Sequence, residues 1–285
     1  MKQRPWVFLL PTLLLMSISA FVPLMAVVNY SLHYIFAGSI PEFVGLKNYI
    51  EVLNDANFQQ ALFRQLAYSF IVIIIEIPLG ILIALSMPKR GNGVGLSLFL
   101  LGVPLLIPYN VVGIVWRLFT QSDIGIIPKF MSVLGYEYNV SLESVDAFMT
   151  VLLLDIWHWT PFVALLSYAG LQAIPNAYYQ AARIDGASIW KTFSYVTLPK
   201  LRSVLTLAIL IRFMDSFKIY SEPLLLTGGG PGNATTFLSM FVARKAESYE
   251  LGYAGAVSVI YLYIVIVLSY LFFQASTHSK KDQTI

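Results

Sequence analysis

The chain has 285 residues, 58% of them hydrophobic and 12% charged, with a formal net charge of +3, no cysteine and a mean hydropathy of +0.73. A soluble domain carries about 25% charged residues, so this composition excludes an ordinary soluble fold and indicates an integral membrane protein. It also excludes a disulfide framework, a thiolate metal site and a cysteine nucleophile, and the small net charge gives no argument for a nucleic-acid partner.

A membrane-crossing helix needs about 20 apolar residues. Six stretches qualify, at about 7–32, 65–87, 96–119, 148–172, 203–227 and 253–274. The expectation is an all-α membrane protein of six transmembrane helices forming one domain over 1–285. The first stretch has the Lys2/Arg4 start of a signal peptide and a small-residue run at Ser17–Ala20, but its apolar run continues to Val28. That is too long for a signal core, so it is read as a span. In the loop 33–64, expected outside, Phe43–Tyr49 turns into a short amphipathic helix. The loop 88–95 is a tight hairpin. Gly102, Pro104 and Pro108 interrupt the third span, which predicts a kink. The fifth span ends in Thr227–Asn233, whose glycines cannot continue a helix, and the amphipathic stretch 235–249 follows at the interface.

Between the fourth and fifth spans lies a segment unlike a span or a solvated linker. Asn176 can cap a first short helix, and Asp185–Gly186 ends it with a glycine at positive φ. Ser188 can cap a second helix, and Pro199 closes it. Ala181, Ala182, Gly186 and Ala187 leave little side-chain bulk. Two readings fit: a docking surface for another protein, or an amphipathic loop helix lying on the headgroups.

Orientation follows from lysine and arginine. With the N-terminus cytoplasmic, that side holds Lys2, Arg4, Lys89, Arg90, Arg183, Lys191, Lys200, Arg202, Lys280 and Lys281. The outer loops hold Lys47, Arg64, Lys129, Arg244 and Lys245. Both termini and the segment 173–202 are therefore expected in the cytoplasm.

An unpaired charge at mid-bilayer costs about 2.5–3.5 kcal/mol, so Glu76, Arg117, Asp155, Arg212, Asp215, Lys218 and Glu222 must pair or face water. Glu76 is expected to pair with another helix. Arg212, Asp215, Lys218 and Glu222 are spaced to share one helical face with alternating sign. They are either a self-neutralising ladder or the polar wall of a path. Asp155, Trp157, His158 and Trp159 form the densest polar–aromatic cluster in any span. Carboxylates and amides accept or donate to hydroxyls and aromatic rings cover C–H faces, so the cluster suits a sugar or polyol; the alternative is an interfacial tryptophan belt. Tyr109–Asn110 at the Pro108 break, and Phe217 with Tyr220, are further candidates for the path. Three scattered histidines make no metal-ligand cluster. No G-x4-G-K-[S/T] motif is present, so the chain has no means of cradling ATP phosphates. Gly228, Gly229, Gly230 and Pro231 are assigned to contact with an outer partner or to a hinge, a plain turn being the alternative.

The pattern Gln180-Ala181-Ala182-x-x-Asp185-Gly186-Ala187-x5-Phe193-x4-Leu198-Pro199 resembles the EAA loop of ABC-importer permeases. Gln180 departs from the family's first glutamate, keeping its size and losing its charge. Val44-Gly45-Leu46-Lys47-Asn48-Tyr49 resembles the outer-loop motif of carbohydrate permeases of the maltose and glycerol-phosphate type. Leu226–Pro231 with Thr235 is similar to the loop of the first of the two paired permeases in such systems. Arg64-Gln65 stands where relatives carry Asn-Thr.

The resemblance implies a permease subunit that binds no cofactor itself, with ATP and Mg2+ on partner ATPases. The residues of the EAA-like pattern would be the ATPase-coupling residues. The implied partners are a second six-span permease, two cytoplasmic ATPase subunits and an extracytoplasmic solute-binding protein, in the inner membrane. The implied solute is a sugar, polyol or glycerol-phosphate-like molecule. A rival from a different class is a proton-coupled secondary transporter using Glu76, Asp155 or Asp215.

Overall fold

The computed structural model describes the backbone of residues 6–281 and the side chains of residues 9–274. Lys2 and Arg4, used above for orientation, lie outside the described residues, as do the side chains of Lys280 and Lys281.

The chain is almost wholly helical: α1 (Trp6–Ser31), a two-residue antiparallel strand pair β1 (His33–Tyr34) and β2 (Glu42–Phe43), α2 (Lys47–Asn54), α3 (Ala56–Ser86), α4 (Asn92–Leu106), α5 (Tyr109–Thr120), α6 (Ile126–Val133) and α7 (Ser144–Gln172). It continues with α8 (Asn176–Ile184), α9 (Ile189–Thr192), a π turn (Phe193–Thr197), α10 (Leu198–Ser216), α11 (Ser221–Thr227), α12 (Leu238–Glu247) and α13 (Leu251–Lys281). Among the described residues four helices are long and apolar enough to cross a membrane: α1 from Leu9, α3, α7 and α13 to Gln274.

The expected third span is a pair, α4 and α5, bent by 91° at a short break, which makes a fifth crossing if the pair is one span. Pro108 causes the break. It has no N–H to continue the ladder, and it forces Ile107 into the extended region, at ψ 123. The expected fifth span, 203–227, is corrected: it is two helices, α10 and α11, and neither has the length and hydropathy of a crossing. Its charged residues break the apolar run. The second span begins at Ala56, nine residues before the expected 65.

The fold divides into two compact units. The first joins the chain up to Ala61 with Met240–Val267. Here Asn48, on α2, donates through Nδ2 to the carbonyls of Ser31 and His33, both at 2.9 Å. Tyr49 Oη lies 2.6 Å from Ser31 Oγ. The Asn-Tyr of the outer-loop motif therefore staples the end of α1. Burial pushes the Asp55 carboxyl up, but bonds from the Tyr253 hydroxyl (2.7 Å) and the Asn57 N–H (2.8 Å) outweigh it and hold the group below the usual carboxylate range.

Gly252, at the start of α13, passes so close to the β1 backbone that a Cβ would collide with the His33 carbonyl. Gly252→Ala is expected to destabilise the protein by about 1–3 kcal/mol, the usual range for overpacking. A fall in the unfolding midpoint of the detergent-solubilised chain checks it, and an unchanged midpoint counts against this packing.

The second unit joins Leu62–Ser239 with the chain from Leu268 onward. Within it α7 packs against α4 and α10, and α11 packs against α5. More than half of α7's most apolar window is buried, which makes α7 the internal helix of this unit. The core contains Tyr68, Val72, Val112, Trp116, Val151, Leu154, Ile219 and Phe237. Arg64 Nη1 donates to the Thr236 carbonyl at 2.7 Å, and Gln65 Nε2 to the Ser216 carbonyl at 3.0 Å. The residues that depart from the family's Asn-Thr thus tie α3 to the end of α10 and to the segment before α12.

Candidate functional site

Two places in the second unit collect chemistry: a buried charge cluster and the segment between α7 and α10.

Arg212, in the last part of α10, is completely buried. Its guanidinium grips Glu76 of α3 with two bonds, Nε to Oε2 at 2.6 Å and Nη2 to Oε1 at 3.0 Å. Nη2 also reaches Asp155 Oδ2 of α7 at 2.6 Å, and Nη1 reaches Asp215 Oδ2 at 3.0 Å. One cation therefore joins three helices, and the planar five-donor fork is the group that allows this. Glu76 pairs across helices as expected. Lys218, three-quarters exposed, adds a contact to Asp215 Oδ1 at 3.6 Å.

The expected one-face ladder is corrected. α10 stops at Ser216, so Lys218 falls in the break and Glu222 in the separate α11, where it is buried. Within α10 only the Arg212–Asp215 pair follows the helical spacing.

Arg212 also lies under the Trp159 ring, 4.7 Å from its centroid. Trp159 is one turn beyond Asp155, so α7 presents the carboxylate and the ring on one face, as its spacing predicts. Tyr109, the first residue of α5 after the Pro108 break, stacks 5.6 Å from His158 and 6.1 Å from Trp159. Among the described residues, His158 Nδ1 and the Tyr68 hydroxyl are buried without a hydrogen-bond partner.

The structure thus brings together Asp155, His158, Trp159, Asp215 and Tyr109. It does not bring in Trp157, which is exposed and packs toward Trp116 at 6.1 Å. Asn110 is exposed, and Phe217 is core, packed on Phe213 at 5.0 Å. Tyr220 is half-buried in the break between α10 and α11. Of the three carboxylates around Arg212, Asp215 alone keeps appreciable side-chain exposure, 20%. The arrangement offers a carboxylate edge for hydroxyls beside aromatic rings for C–H faces.

In the second place, α8 and α9 are two short helices broken at Asp185–Gly186, as the sequence predicts. Gly186 has φ +65, its N–H bonds the Arg183 carbonyl at 3.1 Å, and the Ala187 N–H bonds the Ala182 carbonyl at 2.9 Å. This is a Schellman closure, which requires a left-handed residue at the Gly186 position. Ser188 caps α9, accepting from the Lys191 N–H at 3.3 Å.

Two expectations are corrected. Asn176 does not cap α8; Pro175 stands at the cap and no side-chain bond is made there. Pro199 does not close a helix, because it lies in the first turn of α10. The preceding π turn absorbs the ladder position it cannot fill, with the Leu198 N–H reaching back to the Phe193 carbonyl.

Gln180, Ala181, Asp185 and Gly186 are exposed, Ala182 is buried, and Ala187 and Phe193 are half-buried. Leu198 and Pro199 lie on the exposed side of the first turn of α10. Around them stand large apolar residues open to the surroundings: Ile184 at 86%, Ile189 at 92%, Trp190 at 73% and Tyr195 at 81%.

At the other end of the unit, the Gly228–Pro231 turn is bonded from within. The Thr235 N–H and Thr236 hydroxyl donate to the Gly229 carbonyl at 3.1 and 3.0 Å, and Thr227 Oγ1 lies 2.5 Å from Thr235 Oγ1.

Residues 76–281 match the family of binding-protein-dependent transport system inner membrane components. The trehalose/maltose transport system permease protein MalF of Thermococcus litoralis is 35% identical over 268 residues, 93% of this chain and 90% of that protein. The arabinooligosaccharides transport system permease protein AraP of Bacillus subtilis is 31% identical over 290 residues, 99% and 91% of the two chains. The crystal structure of a bacterial ABC transporter involved in the import of the acidic polysaccharide alginate shares the fold, with TM-score 0.80 at 19% identity, covering 96% of this chain and 94% of that one. The chain therefore belongs to the inner-membrane permeases of binding-protein-dependent ABC importers, in their carbohydrate-uptake branch, and is a multi-pass permease subunit without an ATPase site of its own.

Proposed function

We propose that the chain is one of two paired permeases, the first of the pair, that carry a sugar or a related polyol or glycerol phosphate into the cell. The relatives named for trehalose/maltose and for arabinooligosaccharides support a carbohydrate. The observation that carries the reading is the partly open Asp215 edge beside the Trp159 and Tyr109 rings, a combination suited to hydroxyls and C–H faces together.

In this reading 1–285 acts as a single permease domain with six crossings, α4–α5 and α10–α11 each serving as a broken one. Both termini and the α8–α9 segment face the cytoplasm, where two ATPases hold ATP and Mg2+. One of them docks over Gln180, Ala181, Ala182, Asp185, Gly186, Ala187, Phe193, Leu198 and Pro199. Nucleotide binding closes the ATPases, the docked helices move with them, and α7 and α10, which flank the segment, carry the motion to the path. Asp155, Trp157, His158, Trp159, Asp215, Asn110, Phe217 and Tyr220 are assigned to that path. A solute-binding protein delivers to the outer loops, with Gly228, Gly229, Gly230 and Pro231 as its contact. A proton relay through Glu76, Asp155 or Asp215 is not proposed: all three carboxylates are bound to Arg212.

The test is uptake of labelled mono- and disaccharides, glycerol, other polyols and glycerol phosphate in cells lacking the chain. Loss of one solute, restored by the wild-type chain, names it. Retention of every solute on the panel would sink the carbohydrate assignment.

A further inference from the structure

A cleft of about 980 Å3 opens between the end of α3 and the α8–α9 segment. That is at the upper end of the about 300–1,000 Å3 typical of small-molecule pockets. Its α3 wall runs from Pro78 through Leu82 to Leu85. At about 1.5 Å per residue this wall reaches roughly 12 Å up a membrane-crossing helix from its end at Ser86. The opposite wall carries Trp190 and Phe193, whose rings lie 5.7 Å apart.

Lys89 and Arg183 border the cleft, and a smaller adjoining one of about 390 Å3 shares Lys89 and adds Arg90. Among the described residues, neither cleft is lined by an aspartate or a glutamate. Lys89 Nζ sits 5.4 Å over the Tyr179 ring, which holds the cation at the cleft.

From this geometry we propose that the cleft binds an anionic phospholipid, its acyl chain along Leu82, Leu85 and Trp190 and its phosphate on Lys89 and Arg183. An acyl chain fits the apolar wall because that wall belongs to α3, a helix long and apolar enough to cross a membrane. A phosphate fits the cations because Lys89 follows the end of the membrane-crossing helix α3 by three residues and Arg183 of α8 borders the same cleft, where an anionic headgroup is drawn to lysine and arginine. The lipid would then brace α3 against the segment that the proposed function gives to the ATPase, so the bound headgroup would tune coupling. The site does not depend on which solute is carried.

The test uses the purified full chain in nanodiscs. Phosphatidylglycerol with brominated acyl chains is expected to quench a tryptophan component that is absent in Trp190→Phe. The same component is expected to need more brominated phosphatidylcholine. In Lys89→Ala/Arg183→Ala the phosphatidylglycerol requirement should rise about thirtyfold, at roughly fivefold per cation. Both side chains lie outside the core, and an unchanged unfolding midpoint verifies that the variant is folded. Equal quenching by the two lipids, no change in the double variant, or displacement of the lipid by inorganic phosphate alone would each overturn the proposal.

Discussion

Arg212→Met is expected to destabilise the chain by about 3–5 kcal/mol, the cost of leaving buried charges without their partner. Against a total stability of about 5–15 kcal/mol for a folded domain, such a loss should clear most of the protein from the membrane. The reason is arithmetic of charge. Glu76 is fully buried, Asp155 is 5% exposed, and both take their short bonds from the same guanidinium. Removing it strands carboxylates from three helices beside one another.

Arg212→Lys should rescue little. A single ammonium has no planar fork with which to hold Glu76 by two bonds while reaching Asp155 and Asp215. Adding Glu76→Gln and Asp155→Asn to Arg212→Met should restore abundance, because the two buried stranded charges are gone and Asp215, partly exposed, keeps its contact with Lys218. Immunoblots of membranes and unfolding midpoints in detergent read all three variants. Wild-type abundance of Arg212→Met would show that the cluster is not a structural hub.

Gly186→Trp carries the second large effect, and it is functional. A side chain at φ +65 meets about 1–2 kcal/mol of left-handed strain. The surroundings hold no atom within 4 Å of a Cβ there, so the chain itself has room. The indole would instead project from the turn beside Gln180, Ala181 and Asp185, which the proposed function gives to the ATPase. Uptake should fall to background while the chain stays in the membrane at normal level. Gly186→Asn is the control: asparagine tolerates the left-handed region and is small, so it should keep most of the transport. Normal uptake in Gly186→Trp cells would refute docking at this turn.

Much of the frame was legible because the signals were local. The Pro108 break follows from one residue's missing N–H, and the Asp185–Gly186 turn from one glycine. α7 followed from an uninterrupted apolar run. The fifth span misled because the run is divided after Ser216 into α10 and α11, and neither piece has both the length and the hydropathy of a crossing. Pro199 misled because a proline reads equally as a stop or as a first-turn residue.

The Arg212 hub was half legible. The spacing to Asp215 is three residues, within reach of a helical pattern. Its other partners lie 136 and 57 residues away, and no periodicity encodes them. The roles of Asn48 and of Arg64-Gln65 were hidden for the same reason: each reaches a backbone carbonyl of a distant element. Tyr68 gave no signal, and His158 was read only as a path candidate: that each buries an unpartnered polar atom among the described residues is visible only in three dimensions.

The π turn at Phe193–Thr197 works as a phase shifter. A π turn amounts to one extra residue in an α-helical run, and one residue corresponds to about 100° of rotation about the axis. The continuous run from Ile189 to Ser216 therefore keeps two azimuths in step. One presents Trp190 outward, and the other, about six turns later, aims Arg212 at Glu76 and Asp155. Without the inserted residue the run would keep its length almost unchanged, yet its two ends would be clocked wrongly against each other. In the proposed coupling, a torque applied at the exposed end would reach the charge hub through that fixed angle.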